Sequence, residues 1–279
     1  MQKLVQGLSV PAFMYGTAWK EAKTEELTRL ALAAGFRAVD TANQRRHYVE
    51  AGVGSAVAAA IGAGELRRQD VFLQTKFTYA AGQDHRLPYD PRAEFVTQVE
   101  QSFQSSLEHL QTDYVDSYVL HGPAVRRGLT RVDWEVWRTM EGLQRAQKAR
   151  LLGVSNVSLE QLTALHRDAE VKPAFVQNRC YAATGWDREV RTFCAAEGIV
   201  YQGFSLLTAN PHVLASPAVG RIAQRLGRSA EQIVFRFALE AGMLPLTGTT
   251  DPRHMREDLE AFDFSLEAAE VDALEAIAG

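Results

Sequence analysis

The 279-residue sequence contains few cysteines and no long hydrophobic segment. Its two cysteines, Cys180 and Cys194, follow neither a metal-ligand spacing nor the pattern of a disulfide-rich domain. No segment reaches the roughly 18 consecutive apolar residues of a transmembrane helix, and the first residues lack the apolar core of a signal peptide. These absences predict a cytoplasmic protein without a membrane partner.

The sequence also has no excess of basic residues over acidic ones. The chain has 30 Lys and Arg against 34 Asp and Glu, which gives a formal net charge of −4. Such a chain offers no broad positive surface for nucleic acid. Hydrophobic residues make up 46% of the sequence and charged residues 23%, which is ordinary globular composition with enough apolar surface for a sizeable core.

Short apolar segments alternate with longer segments of helical periodicity along the chain. Eight short segments are predicted strands: 12–15, 38–40, 71–75, 114–120, 151–154, 174–177, 200–204 and 243–246. The predicted helices include 24–34, 49–61, 93–110, 134–148, 159–167, 187–197, 230–240 and 266–277. Eight alternations are typical of a (β/α)8 barrel, or TIM barrel. We therefore predict one α/β domain of this type over residues 1–279.

An open, doubly wound sheet is the alternative arrangement of such elements. In a nucleotide-binding enzyme this sheet normally carries G-x-G-x-x-G after an early strand. Only Gly52 and Gly54 come near that pattern, and both lie inside a predicted helix. The barrel is favoured, and it predicts functional residues at the carboxyl ends of the strands.

Three ionisable residues stand at the ends of consecutive predicted strands. Asp40 ends the second strand, while Lys76 and His121 follow the third and the fourth. A charged residue at the end of a buried segment is normally paired or functional. The alternatives are a helix-capping aspartate, a solvated lysine and a histidine bonded to a carbonyl. Because Asp40, Lys76 and His121 stand at the ends of three neighbouring strands, one shared site is favoured over these alternatives.

A metal-dependent barrel enzyme is a second possible interpretation of these residues. Such an enzyme gathers several histidines and acids at the barrel mouth. His85, His109, His166 and His212 show no paired ligand spacing. We therefore predict no metal site.

Motifs that resemble those of one enzyme family occur in order along nearly the whole chain. They are Gly-Phe-Arg-x-x-Asp-Thr-Ala at 35–42, Thr75-Lys76, Leu120-His121, Leu-Gly-Val-Ser-Asn at 152–156, Gln177 and Gly-Phe-Ser at 203–205. In these motifs the sequence resembles the aldo-keto reductases. The resemblance implies a (β/α)8 barrel that reduces an aldehyde or ketone with NAD(P)H. It also implies a catalytic tetrad of Asp40, Tyr48, Lys76 and His121.

Such a tetrad suits hydride transfer to a carbonyl, because the oxygen needs a proton as negative charge develops on it. The phenol of Tyr48 would donate that proton. We expect the ammonium of Lys76 to lower the pKa of Tyr48, and Asp40 to keep the ammonium charged. His121 would hydrogen-bond the substrate oxygen and set its approach.

The loop that carries Tyr48 departs from the family pattern. Residues 43–49, two more than usual, separate the Asp-x-Ala element from Glu50. Counting back three positions from Glu50 leads to His47, whereas the phenol is at Tyr48. We favour Tyr48, because a histidine acid would not need tuning by a lysine and an aspartate. The alternatives are a packing role for Tyr48 and a weakly or non-catalytic NADP-binding subunit.

The resemblance also implies a set of cofactor-binding residues. They are Thr17, Asp40, Ser155, Asn156, Gln177, Phe204, Ser205, Leu207, Thr247, Thr249, Arg253 and Asp258. Ser155, Asn156 and Gln177 would bond the nicotinamide carboxamide, and the face of Phe204 would stack on the ring. For Ser155 and Asn156 the alternative is a cap of the helix that begins at residue 159.

The segment after the last predicted strand departs from the family at the adenosine end. Leu246 stands where the family commonly has a lysine, and His254 where it has an arginine for the 2′-phosphate of NADP. Arg253 and Arg256 are close in sequence and would still bind a phosphate. NADPH is therefore the predicted cofactor, with NADH as the alternative. A solvated helix face is the alternative interpretation of both arginines.

Aromatic residues near the predicted mouth are candidate walls for a small carbonyl substrate. We expect Trp19, Phe77 and Tyr79 there, with Trp186 as a further candidate, although such residues alternatively serve packing. The sequence ends soon after the helix at 266–277, which predicts an open pocket. The expected assembly is a monomer or a weak homodimer.

Overall fold

The central strands form because short apolar segments are buried on both faces. The computed structural model describes residues 2–277. Its strands are β1 (Gln2–Val5), β2 (Leu8–Pro11), β3 (Met14–Gly16), β4 (Ala38–Asp40), β5 (Phe72–Phe77), β6 (Val115–Leu120), β7 (Ala149–Ser155), β8 (Phe175–Arg179), β9 (Val200–Phe204) and β10 (Leu244–Thr247). Strands β3 to β10 close into one parallel barrel, in which β10 pairs with both β9 and β3.

The α-helices surround this barrel and connect its strands. They are α1 (Thr24–Ala34), α2 (Glu50–Gly62), α3 (Phe95–Leu110), α4 (Arg131–Arg145), α5 (Leu159–Asp168), α6 (Arg188–Ala196), α7 (Pro211–Leu214), α8 (Pro217–Leu226), α9 (Ala230–Glu240), α10 (Pro252–Leu259) and α11 (Ala268–Glu275). The predicted (β/α)8 barrel is therefore confirmed. No helix within residues 2–277 is long and apolar enough to cross a membrane.

Side chains along β5 alternate between the barrel interior and the layer under the helices. Phe72 belongs to the interior apolar cluster and packs edge-on against Phe175, whereas Leu73 and Phe77 belong to the outer cluster. The same alternation places Gln74 inside the barrel, where it bonds residues of other strands. The interior is therefore apolar where the strands begin and becomes polar towards their carboxyl ends.

A two-stranded hairpin that the sequence analysis did not predict precedes the barrel. Strands β1 and β2 pair antiparallel, and Val5 and Val10 are buried in the interior cluster with Met14 and Phe72. These partners lie at the first positions of their strands. The hairpin therefore covers the end of the barrel opposite the carboxyl ends.

Helix α5 begins at a different cap from the one considered above. Its N-cap is Ser158, whose hydroxyl accepts a hydrogen bond from the backbone N–H of Gln161. The capping interpretation of Ser155 and Asn156 is wrong, because Ser158 already satisfies the first turn. Ser155 and Asn156 remain at the carboxyl end of β7, on the same side as the other candidate residues.

Candidate active site

One large cavity of about 1290 Å³ lies at the carboxyl ends of the barrel strands. The predicted site residues that line it are Trp19, Asp40, Tyr48, Tyr79, His121, Ser155, Asn156, Gln177, Phe204, Ser205, Leu207, Thr247, Thr249 and Asp258. They come from the barrel strands and the loops that follow them, with all eight strands represented, and from helix α10. The structure therefore brings most of the predicted residues to one mouth.

Lys76 and Asp40 form a buried ion pair beneath this cavity. The ammonium of Lys76 donates to both carboxylate oxygens of Asp40 at 2.7 Å and to the carbonyl of Thr41 at 2.8 Å. All three of its hydrogens are therefore used. Burial lowers the pKa of Lys76, while the charge of Asp40 opposes this effect. The carboxylate thus favours the protonated amine.

Three glutamines that reach into the barrel support Asp40. The side-chain amides of Gln74 and Gln177 donate to Asp40 Oδ1 at 2.8 and 3.1 Å, and both also donate to Gln202 Oε1. Gln74 and Gln202 were not predicted, because nothing in the sequence marks an inward glutamine in the middle of a buried strand. This network fixes the carboxylate that holds Lys76.

Tyr48 lies beside the ion pair and beside His121. Its ring centroid is 5.1 Å from Lys76 Nζ and 6.0 Å from the ring centroid of His121. Burial, and then the charge of Asp40, raise the pKa of Tyr48. The net direction is therefore opposite to the predicted lowering of this pKa, because burial and the carboxylate of Asp40 both disfavour the phenolate.

The two extra residues before Glu50 are accommodated in a tight turn. The backbone N–H groups of His47 and Tyr48 both donate to the carbonyl of Gln44, at 3.1 and 3.0 Å. His47 packs against Trp19 at 3.9 Å between ring centroids, whereas Tyr48 faces the lysine. Both residues line the cavity, and of the two it is the ring of Tyr48 that lies near Lys76 and His121.

His121 is held in its neutral form. Its Nδ1 lies 2.7 Å from the hydroxyl oxygen of Thr78. Burial, followed by the charge of Lys76, lowers the pKa of His121 to about 3. Within residues 2–277 no protein group bonds its Nε2, so this nitrogen is free to contact a ligand. The contact of Thr78 with His121 was not predicted. The position of this hydroxyl, two residues after Lys76, is the sequence feature that could have indicated it.

Ser155 and Asn156 form a polar shelf on the far side of the mouth. The hydroxyl of Ser155 donates to the carbonyl of Gln177 at 2.6 Å, and the amide of Asn156 donates to the carbonyl of His121 at 2.8 Å. Asn156 and Ser205 have φ angles of +51° and +57°. Such angles are uncommon outside glycine, and asparagine adopts them more readily than most residues.

The loop after β9 offers backbone donors to an anion. The N–H groups of Leu206, Leu207 and Thr208 have no acceptor among residues 2–277, and all three residues line the cavity. Consecutive free N–H groups form a concave anion site. Phe204, at the end of β9, also lines the cavity and is half-buried, so this loop and its ring fit the pyrophosphate and the ring of a nicotinamide dinucleotide.

Two predicted substrate aromatics do not reach the cavity. Phe77 is fully buried and packs against Tyr79 and Tyr89, because adjacent strand residues point to opposite faces and Lys76 occupies the inner one. Trp186 is fully buried and donates to the carbonyl of Leu274. The expectation of substrate contacts for both is wrong, and the packing alternative is correct.

Two predicted cofactor residues also lie outside the cavity lining. Thr17 is fully buried, and its hydroxyl donates to the carbonyl of Asp40 at 2.9 Å. The side chain of Arg253 is 66% exposed and faces Asp251 and Glu257 at 3.8 and 3.9 Å.

Several residues that line the cavity were not predicted. They include Lys20, Gln44, Arg179, Glu231 and Glu257. Lys20 and Gln44 lie on loops, Arg179 ends β8, and Glu231 and Glu257 lie on α9 and α10. No local pattern in the sequence marks them. Within residues 2–277 no three or more His, Cys, Asp or Glu side chains are grouped to hold a metal ion.

Comparisons with known proteins agree with this geometry. Residues 12–278 match the aldo/keto reductase family. Glyoxal reductase of Bacillus subtilis (strain 168) is 27% identical over 278 residues, which cover 99% of this chain and 91% of that protein.

Solved structures of similar proteins share the same barrel. An aldo/keto reductase from Brucella melitensis superposes with a TM-score of 0.83 at 27% identity and covers 99% of this chain and 98% of its own. An aldo-keto reductase from Bombyx mori, in complex with NADP, has a TM-score of 0.84 at 24% identity and covers 99% and 92%. With the family match over residues 12–278, the chain belongs to the aldo/keto reductase family.

Proposed function

We propose that this protein reduces a small aldehyde or ketone to the alcohol with NAD(P)H, and that Tyr48 is the acid. The observation that carries the proposal is the position of the Tyr48 ring, 5.1 Å from the Lys76 ammonium and 6.0 Å from the His121 ring at the cavity mouth. The name of the similar Bacillus subtilis protein, glyoxal reductase, supports a carbonyl substrate.

Tyr48 donates the proton that the reduced oxygen requires. When bound at the mouth, the nicotinamide supplies the hydride. The raised pKa of Tyr48 keeps its phenol protonated at neutral pH before the reaction. After proton transfer, the phenolate would stand beside the ammonium of Lys76, whose positive charge stabilises it. Asp40 holds that ammonium in place through two hydrogen bonds.

His121 positions the carbonyl oxygen rather than supplying a proton. Because its pKa is lowered to about 3, the ring is neutral at neutral pH. If the hydroxyl of Thr78 donates to Nδ1, the ring hydrogen is on Nε2, which then donates to the substrate oxygen. His121 and Tyr48 would therefore approach the same oxygen from two sides.

The cavity walls support a small, partly apolar substrate. Trp19 and Tyr79 line the cavity. The hydroxyl of Tyr79 is bound to the carboxylate of Asp133 at 3.0 Å, which leaves the ring as an apolar surface. The ring of Trp19 lies at the rim on His47. We propose that these two aromatics contact the substrate.

The assignment of the acid is tested with two variants of the same loop. Tyr48→Phe should lower kcat by about 10²–10⁴-fold, because it removes the proton donor and leaves the ring in place. His47→Phe, the matched control, should retain kcat within a few-fold. The measurement is the rate of NADPH and NADH oxidation with small aldehydes, together with dinucleotide binding by fluorescence quenching.

Two outcomes would contradict the proposal in different ways. Full activity of Tyr48→Phe with loss of activity in His47→Phe would move the acid to His47. Dinucleotide binding without turnover by the wild-type protein, over a broad panel of carbonyl compounds, would favour a non-catalytic cofactor-binding subunit.

A further inference from the structure

We propose that Glu50 is a positioning residue for the reaction, because its buried carboxylate joins the loop of Tyr48, residues 41–49, to the strand that carries Lys76. The inference rests on the proposed function, since it requires Tyr48 to donate a proton beside the ammonium of Lys76. Glu50 itself is not among the residues that line the cavity. It would therefore act through the geometry of these two side chains and not by touching the substrate.

One hydrogen bond connects the two segments. Glu50 is the first residue of α2, two positions after Tyr48, and it is 2% exposed. Its Oε1 accepts a hydrogen bond from the hydroxyl of Thr75, the residue directly before Lys76. Successive residues of a strand point to opposite faces, so Thr75 meets the helices while Lys76 reaches the barrel interior. The bond therefore attaches the chain that follows the phenol to the backbone that carries the ammonium.

Helix α3 holds the other oxygen of this carboxylate. The hydroxyl of Ser106 donates to Oε2 of Glu50 at 3.3 Å, and Nδ1 of His109 lies 3.1 Å from the same oxygen. The hydrogen bond with Glu50 raises the pKa of His109, which favours the imidazolium as a counter-charge to the buried carboxylate. Both oxygens are thus held, and the carboxylate of Glu50 keeps its orientation towards Thr75.

Tyr48 lies between two attachments of its loop to β5. Near the start of the loop, the backbone N–H of Asn43 donates to the carbonyl of Lys76 at 3.3 Å. Directly after the loop, Glu50 accepts the hydrogen bond from Thr75. Within residues 2–277 Tyr48 accepts a side-chain hydrogen bond at its backbone carbonyl, while its phenol oxygen has no protein partner. The distance between phenol and ammonium therefore depends on the two attachments that flank the ring.

The charge of Glu50 has a second effect on Lys76. Burial lowers the pKa of Lys76, the charge and hydrogen bonds of Asp40 oppose this effect, and the charge of Glu50 adds to that opposition. A protonated ammonium is needed to stabilise the phenolate after proton transfer. The position and the charge of the carboxylate can be separated, because Glu50→Gln keeps an acceptor for Thr75 and removes the charge.

The bridge is tested by removing the hydroxyl of Thr75, which lies outside the cavity lining. Thr75→Val keeps the shape of the side chain and should lower kcat by about 10–10²-fold, because small displacements of reacting groups cause losses of this size. The KM for the carbonyl compound and the Kd of the dinucleotide should change by less than about threefold. Thr75→Ser retains the hydroxyl and should restore kcat to within about threefold of the wild type. Glu50→Gln should lower kcat less than Thr75→Val does.

A double-mutant cycle separates positioning from a general structural effect. In a Tyr48→Phe background, Thr75→Val should leave the residual rate unchanged within about twofold, because the bridge acts through the phenol. Thr28→Val is the matched control. Thr28 is fully buried, and its hydroxyl donates to the carbonyl of Thr24 within helix α1, so this variant should keep the wild-type kcat. Circular dichroism and dinucleotide binding give the folded fraction of each variant.

The possible outcomes distinguish this inference from the proposed function. Wild-type kcat in a folded Thr75→Val would overturn the inference and leave the proposed function intact. An equal loss from Thr75→Val with and without Tyr48 would do the same, since it would assign the bridge to stability alone. If Thr75→Val does not fold, Glu50→Gln in the same two backgrounds supports the inference by a loss confined to the protein with Tyr48 and overturns it by an equal loss in both. Dinucleotide binding without turnover by the wild type would remove the proposed function and the inference together.

Discussion

Asp258 is a carboxyl group whose charge the folded protein disfavours. Burial raises its pKa to about 7, whereas an aspartate in an unfolded chain has a pKa near 3.9. Between these values the folded protein keeps a proton that the unfolded chain has lost. The folded state is therefore stabilised relative to the unfolded state at low pH, and this advantage disappears as pH rises from about 4 to about 7.

The stability of Asp258→Asn should show this titration directly. At pH 8 the variant should unfold with a free energy up to about 4 kcal/mol higher than the wild type, because it never ionises, and the difference should shrink towards pH 5. Urea unfolding at pH 5, 6, 7 and 8 measures it. Asp272→Asn is the exposed control, and a difference for Asp258→Asn that is constant with pH would contradict the assigned burial.

The candidate catalytic residues could be predicted where a polar residue ends an apolar segment. Asp40, Lys76 and His121 each follow such a segment, so the barrel prediction placed them together. Phe77 was assigned wrongly because the sequence does not say which face of β5 points inward; once Lys76 occupies the interior, its neighbour must face the helices. No sequence pattern marks Gln74, since its role is to donate a hydrogen bond to Asp40 on another strand of the barrel.

At the scale of elements, the contact between α2 and α3 depends on one glycine. A Cβ atom at Gly54 would overlap the carbonyl oxygen of His109 and lie 2.8 Å from the Cα atom of Leu110. His109 also bonds the buried carboxylate of Glu50 in the first turn of α2, at 3.1 Å. The two helices therefore touch through backbone at this point, which explains the glycine at position 54 inside a helix.

Substituting this glycine tests the close approach. Gly54→Ala should lower the free energy of unfolding by about 3 kcal/mol or more, because a backbone of α3 must move to admit the methyl group. Gly62→Ala, at the end of the same helix, meets no atom within 4 Å and should stabilise by about 0.4–1 kcal/mol. Chemical denaturation of both variants gives the comparison, and similar effects of the two would refute the contact.

Element prediction worked for repeated patterns and failed for an isolated one. The eight barrel strands were each flanked by helical periodicity, which fixed their type and order. The hairpin of β1 and β2 has two four-residue strands joined through Gln6 and Gly7, with φ angles of +45° and +84°. Two left-handed residues suit a tight hairpin turn. The hairpin is short and occurs once, however, so the sequence contains no repeated pattern that would predict it.

At the scale of the whole molecule, the two ends of the barrel have separate tasks. The carboxyl ends of the strands carry the cavity and its polar residues. The opposite end is closed by the hairpin, whose Val5 and Val10 pack on interior residues from several strands. Stability and chemistry are thus divided between the ends, as in barrels generally, and a defect at one end should leave the other unchanged.

A pair of hairpin substitutions tests this division. Val10 is fully buried, so Val10→Ala should lower the free energy of unfolding by about 2 kcal/mol through lost burial and a residual cavity. Leu4, on the same hairpin, is 80% exposed, and Leu4→Ala should change stability by less than about 0.5 kcal/mol. Well below the melting temperature, both variants should bind dinucleotide with the wild-type Kd. Weaker dinucleotide binding by Val10→Ala, with its fold intact by circular dichroism, would mean that packing at the closed end reaches the mouth.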